Sequence, residues 1–318
     1  MKNKPKNHQL LILSKDFEEY NQIISQAGLP GLSILATENP DDGIHIGAEC
    51  DLLFGEPSLV CRVINHLPNL TWVQTSWAGV EPLLAAGLHQ DYILTNARNV
   101  YGPMMSEYVF GYLLMIERRI LTRWQSQLNH KWDETPNGRL KGRRIGLLGV
   151  GTIGAHLAST AHHFGMRVHG YTRQSETCPD VDRYFHGEEI LNFVAGLDYL
   201  VCSLPGTPVT RGLVNMSILS ALPRTAWLVN IGRGSTVDET ALVNALNSGS
   251  IAGAVLDVFN AEPLPDAHPL WCTPNTFITS HTAARNYLPD IAALFIENYK
   301  LLIGDKPLLN LVDFVQHY

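Results

Sequence analysis

The stretch LLGVGTIGAHLA, residues 147–158, restricts the fold of this chain more than any other part of the sequence. It places Gly149, Gly151 and Gly154 in a GxGxxG pattern, directly after an apolar run and at the start of a helical run. In that context the first glycine permits a tight turn, the second lets a pyrophosphate approach the backbone, and the third lets helix and strand pack closely. The free N–H groups and the positive end of the helix favour phosphate. The pattern predicts a dinucleotide-binding βα unit; the alternative is a turn with a structural role only.

Apolar runs and helical patterns alternate along the chain, which is typical of a parallel sheet covered by helices. The expected strands are LLIL (10–13), residues 32–36, 51–54, 70–74 and 92–95, then IGLLGV, MRVHGY, LDYLVCSL, AWLVNI, IAGAVLDVF and TFITSH. One long helix is expected over about residues 104–131. The fold class is therefore α/β, with two doubly wound parallel-sheet domains, Rossmann-like and flavodoxin-like.

The last part of the chain sets the expected domain organisation. An amphipathic segment at residues 291–302 predicts a final helix, which we expect to return to the first domain. The nucleotide-binding domain is then an insertion. We expect a substrate (catalytic) domain of residues 1–98 and 285–318, and a Rossmann domain of residues 99–284.

Charge and cysteine content disfavour several classes of protein. The 318-residue chain has a formal net charge of −7 and a pI of about 6.0, which argues against nucleic acid or a membrane surface as partner. Its five cysteines are odd in number and include no CxxC pair, so we expect reduced thiols and a cytoplasmic location. No stretch approaches the length of a transmembrane helix. The histidines that follow the glycine loop form no ligand pattern, and we expect no metal site.

The strand MRVHGY ends in Thr172, Arg173 and Gln174, at the place where many dinucleotide-binding folds carry an acid. Such an acid accepts hydrogen bonds from the ribose 2′-hydroxyl of NAD and repels a 2′-phosphate. A hydroxyl and a guanidinium suit the 2′-phosphate instead. We therefore expect NADP(H) to be preferred. The alternative is that Arg173 is a solvated loop charge, in which case NAD(H) serves as well.

Three polar residues follow three other strands of the second series. Arg233 lies in WLVNIGRG, Glu262 in LDVFNAEPLP, and His281 in TFITSHTAAR. The carboxyl ends of parallel strands meet at one edge of a sheet, so we expect these side chains to converge beside a nicotinamide. His281 would protonate a carbonyl oxygen as hydride reaches the carbon. Glu262 would orient the imidazole, and Arg233 would hold a substrate carboxylate. Taken singly, each residue has an ordinary structural or surface interpretation.

Six stretches spread over the chain form a specific signature. They are WAGVEPLL (77–84), NVYGPMMSEYVFGYLL (99–114), the glycine loop, NIGRGSTVDETAL (230–242), DVFNAEPLPDAHPLW (257–271) and SHTAA (280–284). In them the chain resembles the D-isomer-specific 2-hydroxyacid dehydrogenases over essentially its whole length. The resemblance implies Arg233, Glu262 and His281 as the catalytic set. It also implies that the substrate is bound by Trp77, Ala78, Gly79, Arg233 and His281.

The same resemblance implies an NAD(P) cofactor, its contacts and an assembly. The implied cofactor residues are Gly149, Gly151, Thr152, Ile153, Gly154, Thr172, Arg173, Gln174, Ser203, Leu204, Pro205, Ile231, Gly232, Asp257 and Ala283. The implied assembly is a homodimer built largely on the nucleotide-binding domains.

Two departures bear on what the resemblance implies. Many relatives have an aspartate where Thr172 stands, so NAD preference does not carry over, and many have proline where Ser280 precedes the histidine. The chain is most similar to the glyoxylate/hydroxypyruvate reductase branch, by WAGVEPLL, EPLPDAHPLW and the Thr172–Arg173 pair. We therefore expect reduction of a small 2-keto acid such as glyoxylate or hydroxypyruvate. The alternatives are a dehydrogenase for a larger hydroxyacid or phosphite, and a dinucleotide-sensing binding protein of the same fold.

Overall fold

A computed structural model describes residues 7–284 and 287–314 of the chain. The chain divides into two compact units, in which unit 2 interrupts unit 1. Unit 1 comprises Met1–Val100 and Asn286–Tyr318, and unit 2 comprises Tyr101–Arg285. The predicted domain boundary between residues 284 and 285 touches Arg285, which lies outside the described residues.

Strands and helices alternate through most of both units. In chain order they are β1 (His8–Leu13), α1 (Phe17–Gln26), β2 (Leu32–Thr37), α2 (Pro40–Ile46), β3 (Leu52–Gly55), α3 (Pro57–Val63), β4 (Trp72–Thr75), β5 (Ile93–Thr95), α4 (Gly102–Glu117), α5 (Ile120–Leu128), β6 (Arg144–Leu148), α6 (Thr152–His163), β7 (Arg167–Tyr171), β8 (Arg183–Phe185), α7 (Ile190–Val194), β9 (Tyr199–Cys202), α8 (Met216–Ala221), β10 (Trp227–Asn230), α9 (Glu239–Asn247), β11 (Gly253–Leu256), β12 (Thr276–Ile278) and α10 (Leu288–Ile303). Short 3₁₀ turns lie at Ile64–His66, Glu81–Leu84, Gly187–Glu189, Gly234–Thr236 and Pro269–Cys272.

Unit 1 is built on a parallel sheet with strand order β2-β1-β3-β4-β5, the flavodoxin-like order. The run Leu10–Leu13 in β1 is fully buried because helices cover both faces of a parallel sheet. Helix α10 supplies part of that cover. The ring of Phe295 stacks on Trp72 with centroids 5.1 Å apart, and Asn298 donates a hydrogen bond to Gln74.

Unit 2 is built on a parallel sheet with strand order β8-β7-β6-β9-β10-β11-β12, the doubly wound Rossmann arrangement. Successive side chains of a strand point to opposite faces, so β9, β10 and β11 feed two separate cores. Leu200, Leu228 and Leu256 pack on one face, and Val201, Val229 and Val255 on the other. The strand order reverses between β6 and β9, which is where this fold binds ligands. The predicted fold class is confirmed in both units.

Two details of the predicted secondary structure were wrong. Strand β8 was missed, because it is three residues long and pairs only at the edge of the sheet. The single helix expected over residues 104–131 is two helices, α4 and α5, separated by Arg119 at φ = 53°. Helix α4 ends at Glu117, which is buried and held by Arg143 at 2.9 Å and by the Tyr199 hydroxyl at 2.6 Å. Helix α5 buries no residue.

Within the described ranges, no helix combines the length and the apolar character that crossing a membrane requires.

Candidate active site

The glycine loop joins β6 to α6, and each of its glycines is required for a different reason. Gly149 has φ = 98°, a region that side chains rarely adopt. A Cβ on Gly154 would lie 2.2 Å from the Gly149 carbonyl oxygen, so helix and strand contact each other closely there. A Cβ on Gly151 would meet no protein atom within 4 Å. The space beside Gly151 and the first-turn N–H groups of Thr152 and Ile153 therefore fit a pyrophosphate.

Thr172 follows strand β7 and is held by hydrogen bonds from its backbone N–H and its side-chain hydroxyl. The Thr172 N–H donates to the Phe185 carbonyl at 3.2 Å, and its hydroxyl donates to the Ser175 carbonyl at 2.7 Å. Arg173 and Gln174, the next two residues, are exposed. The Thr172 hydroxyl thus donates within the loop after β7 and its N–H donates to strand β8, and the exposed Arg173 follows directly.

His186 ties this loop to the end of β8. Its Nδ1–H donates to the Thr172 carbonyl at 3.0 Å, and its Nε2–H donates to the Glu176 carboxylate at 2.8 Å. A ring that donates from both nitrogens is the charged form. The bond to Glu176, and then the bond to Thr172, raise the pKa of His186 above its ordinary value. The sequence motifs gave no sign of this contact.

Arg233 lies in a loop after β10 that is packed between two other loops. A Cβ on Gly232 would lie 2.7 Å from the Leu204 carbonyl oxygen, and a Cβ on Gly234 would lie 1.9 Å from the Phe259 carbonyl carbon. The two glycines are therefore demanded by packing, and together they fix the backbone on either side of the half-buried Arg233. The side chain of Arg233 also donates to the Gly232 carbonyl at 2.9 Å.

Buried Asn230 closes the same turn. Its Nδ2 donates to the Arg233 carbonyl at 3.1 Å, and its Oδ1 accepts from the Gly232 N–H at 3.2 Å. The sequence analysis did not single out this residue. Its position at the end of a buried strand, just before the sequence IGRG, is the sequence feature that could have indicated its role.

Glu262 and His281 are in direct contact. The Nδ1–H of His281 donates to Oε2 of Glu262 at 2.8 Å, and Oε1 of the same carboxylate accepts from the Phe259 N–H at 2.9 Å. The carboxylate is thus fixed by the backbone and in turn fixes the imidazole tautomer, which leaves Nε2 for other chemistry. The two side chains follow the adjacent strands β11 and β12. They are 36% and 48% exposed, so the pair is open to a ligand.

Asp257 organises the loop that carries His281. This carboxylate is 1% exposed and accepts hydrogen bonds from the Thr279 hydroxyl at 2.5 Å, the Thr282 N–H at 2.8 Å and the Ala283 N–H at 3.0 Å. Its backbone carbonyl accepts from the His281 N–H at 2.8 Å. His281 is held at φ = 55°, an uncommon conformation for a residue with a side chain.

The other predicted cofactor residues follow the carboxyl ends of β9, β10 and β12. Ser203, Leu204 and Pro205 come after β9, Ile231 and Gly232 after β10, and Ala283 after β12. Ile231 and Ala283 are buried, whereas Pro205 is exposed. The predicted substrate residues Trp77, Ala78 and Gly79 belong to unit 1, in the loop after β4, where the Trp77 side chain is 46% exposed.

Comparison with known proteins identifies the family. The sequence model of the D-isomer specific 2-hydroxyacid dehydrogenase NAD-binding domain matches residues 110–283. The chain belongs to the D-isomer-specific 2-hydroxyacid dehydrogenase family. A glyoxylate/hydroxypyruvate reductase A from Klebsiella pneumoniae is 32% identical over 217 residues, 68% of this chain and 70% of the relative. The predicted family and its branch are therefore confirmed.

Solved structures of family members superpose on most of the chain. A D-isomer specific 2-hydroxyacid dehydrogenase family protein from Aeromonas salmonicida is 38% identical, with a TM-score of 0.91 over 97% of this chain and 100% of the other. An NADPH-dependent glyoxylate/hydroxypyruvate reductase from Sinorhizobium meliloti, solved with NADP and sulfate, is 25% identical, with a TM-score of 0.86 over 98% and 100%. The dehydrogenase is thus an NAD(P)-dependent oxidoreductase that acts on 2-hydroxyacids or 2-keto acids.

Proposed function

We propose that this dehydrogenase reduces a small 2-keto acid, such as glyoxylate or hydroxypyruvate, with NADPH, and that His281 is the proton donor. The observation that carries the proposal is the Glu262–His281 hydrogen bond of 2.8 Å at the ends of adjacent strands. Reduced nicotinamide supplies a hydride when bound. The remaining chemistry is to hold the keto acid, polarise its carbonyl group and deliver one proton to the oxygen.

The hydrogen bonds of His281 support its role as the acid. Glu262 accepts the proton on Nδ1, so the proton delivered to a substrate oxygen is the one on Nε2. The carboxylate also stabilises the positive charge of the imidazolium before transfer. A general acid in this position contributes ~10²–10⁴-fold to the rate.

Arg233 is proposed to bind the substrate carboxylate and to polarise the neighbouring carbonyl. A guanidinium presents a planar fork that matches a carboxylate. Its backbone is fixed by the two packed glycines and by Asn230, so the fork reaches the substrate from a rigid support. Trp77, Ala78 and Gly79 of unit 1 are proposed to contact the substrate as well, as the family resemblance implies.

The preference for NADPH is proposed to depend on Arg173. The hydroxyl and the N–H of Thr172 already donate to the carbonyl groups of Ser175 and Phe185, and the exposed guanidinium of Arg173 is the group suited to a 2′-phosphate. The Sinorhizobium enzyme described as NADPH-dependent supports this choice of cofactor. The remaining cofactor contacts are proposed to be those that the family resemblance implies.

The proposed assembly is a homodimer formed through unit 2. Helix α5 places Ile120, Trp124 and Leu128 four residues apart on one side, each about half exposed. Such a row of large apolar side chains is typical of a protein–protein interface. We further propose a cytoplasmic location, because all five cysteines, each within the described ranges, are free thiols.

Initial rates with glyoxylate and hydroxypyruvate, measured with NADPH and with NADH, test the proposal. We expect kcat/KM to be at least about tenfold higher with NADPH. Arg173→Ala should lower the NADPH value about tenfold, as the loss of a charged hydrogen bond predicts, and change the NADH value less than about twofold. Arg167→Ala is the matched control, since Arg167 is an exposed arginine at the opposite end of the same strand. Turnover of larger keto acids alone would replace the proposed substrate, and no turnover would favour a dinucleotide-sensing role.

A further inference from the structure

The loop that follows β4 is held in place by its carbonyl groups. The Trp77 carbonyl accepts hydrogen bonds from the Thr75 hydroxyl at 2.8 Å and from the Ala97 N–H at 3.1 Å. The Ala78 carbonyl accepts one from Nδ2 of Asn96 at 2.7 Å. Two consecutive carbonyl groups are thus bound by residues at the ends of β4 and β5.

The directions of these carbonyl groups determine where the next two N–H groups point. A trans peptide group is planar, and its N–H points opposite to its C=O. The N–H of Ala78 shares a peptide group with the Trp77 carbonyl, and the N–H of Gly79 shares one with the Ala78 carbonyl. Both N–H groups therefore point away from Thr75 and Asn96. Across residues 7–284 and 287–314, neither N–H group donates a hydrogen bond to a backbone carbonyl. Successive backbone N–H groups turned outward are suited to an anion.

The two side chains that hold the loop are buried, and Asn96 is fixed by further hydrogen bonds. Thr75 is completely buried and Asn96 is 2% exposed. The Oδ1 of Asn96 accepts a hydrogen bond from Nε of Arg98 at 2.9 Å, and its backbone N–H donates to the Asn310 carbonyl at 3.2 Å. Because the amide oxygen is engaged by Arg98, the Nδ2 of Asn96 must face Ala78.

We propose that Asn96 and Thr75 are positioning residues, which hold the Ala78 and Gly79 N–H groups in the orientation that binds the carboxylate of the substrate. Neither residue contacts the substrate; each acts through a carbonyl group of the loop. The proposal rests on the proposed function in one respect, that the bound anion is the carboxylate of a 2-keto acid. Such supporting residues matter because a donor displaced by a fraction of an ångström loses much of its hydrogen bond.

Asn96→Asp is the sharpest test. The aspartate has the same shape and keeps an oxygen for Arg98, but it sets a carboxylate oxygen against the Ala78 carbonyl. Thr75→Val removes the buried hydroxyl and keeps the shape, while Thr75→Ser keeps the hydroxyl and is the matched control. The assays are steady-state kinetics with glyoxylate and calorimetric titration of oxalate into the full-length enzyme saturated with NADP⁺.

We expect Asn96→Asp to raise the KM for glyoxylate and the Kd for oxalate about tenfold or more. Thr75→Val should raise both about fivefold, as expected for one lost hydrogen bond, and Thr75→Ser less than about twofold. The KM for NADPH should change less than about twofold in all three variants. The substitutions disturb the loop that binds the substrate carboxylate, and this loop does not bind the cofactor.

Wild-type values of KM and Kd in both Asn96→Asp and Thr75→Val would overturn the proposal, as would an equal rise in the KM for NADPH. If Asn96→Asp fails to fold, the two Thr75 variants decide the matter alone. The two proposals can fail separately. If the wild-type enzyme reduces no keto acid, the proposed function is refuted. If the variants of that enzyme nevertheless bind oxalate more weakly, the positioning role is supported. Failure of the wild-type enzyme to bind oxalate would overturn the positioning role itself.

Discussion

Glu262→Gln changes only the terminal group of a side chain that accepts two hydrogen bonds. One oxygen of Glu262 accepts from the Phe259 N–H at 2.9 Å and the other from Nδ1 of His281 at 2.8 Å. A glutamine amide has one acceptor and one NH₂ group, so it cannot serve both donors. The backbone donor is fixed, whereas the imidazole is 48% exposed and can rotate. The NH₂ group therefore faces His281, so the Nδ1–H of the imidazolium loses its acceptor and the positive charge loses its partner.

The size of the effect follows from the exposure of the pair. A hydrogen bond to a charged group contributes ~1.5–3 kcal/mol. The two side chains are 36% and 48% exposed, so water screens the interaction and the lower bound applies. About 1.5 kcal/mol corresponds to a roughly tenfold lower kcat for keto acid reduction. His281→Ala removes the acid itself and should lower kcat about a hundredfold or more.

The assay is the consumption of NADPH at saturating keto acid, with the single variants and the double variant. Because Glu262 acts through His281, Glu262→Gln should lower kcat less than about twofold when His281 is already alanine. Glu239→Gln is the control: Glu239 accepts from the Asn260 N–H at 2.8 Å and lies 3.4 Å from His268, and its change should leave kcat within about twofold. A tenfold loss from Glu262→Gln in the absence of His281 would refute the reasoning.

Three further predictions concern the cofactor loop, a charged histidine and the assembly. Gly151→Ala should keep the wild-type melting temperature, because the new Cβ meets no protein atom within 4 Å. It should raise the KM for NADPH about tenfold or more, because the Cβ enters the space proposed for the pyrophosphate. Gly154→Ala should lower the melting temperature, because its Cβ clashes with the Gly149 carbonyl group. A melting scan without cofactor, followed by kinetics, tells them apart, and a destabilised Gly151→Ala would contradict the first. His186→Ala should lower the melting temperature more at about pH 6 than at about pH 8.5. The hydrogen bond to Glu176 raises the pKa of His186 in the folded state. The stability that the charged imidazole contributes is therefore complete below the ordinary pKa of histidine and is lost as pH rises through the raised pKa. Equal decreases in melting temperature at both pH values would contradict this prediction. Trp124→Glu should yield a folded monomer in size-exclusion chromatography with light scattering, because the side chain is 52% exposed, and an unchanged mass would exclude α5 from the interface.

The sequence predicted those parts of the fold that have a local signal. The central strands β6, β9, β10 and β11 of unit 2 are almost entirely buried, so each is a mostly apolar run, and the glycine loop lies where its spacing placed it. The break at Arg119 was not predictable from local pattern, and neither were the contacts of Arg143 and Tyr199 with Glu117, where helix α4 ends. Those partners lie far along the chain, and no periodicity reports them.

The same distinction holds for the candidate site. Glu262 and His281 could be paired in advance because both follow strands of one parallel sheet. The residues that support the site were missed for a physical reason. Asp257 was expected to contact the cofactor, but it was not recognised as the acceptor for the loop that carries His281. Asn96 looks like any loop asparagine, since its hydrogen bond to Ala78 depends on two strand ends that only the folded sheet brings together.

The stack of Phe295 on Trp72 has a consequence for the order in which the nascent chain folds. Phe295 leaves the ribosome roughly 220 residues after Trp72, which at ~5–20 residues per second takes ~10–45 s. Unit 2 is contiguous and can complete its sheet within that interval, whereas unit 1 lacks α10 until the end. The aromatic residues that Phe295 contacts, Phe54 of β3 and Trp72 of β4, therefore stay uncovered by α10 over that interval, and a pause in translation before residue 288 would prolong their exposure.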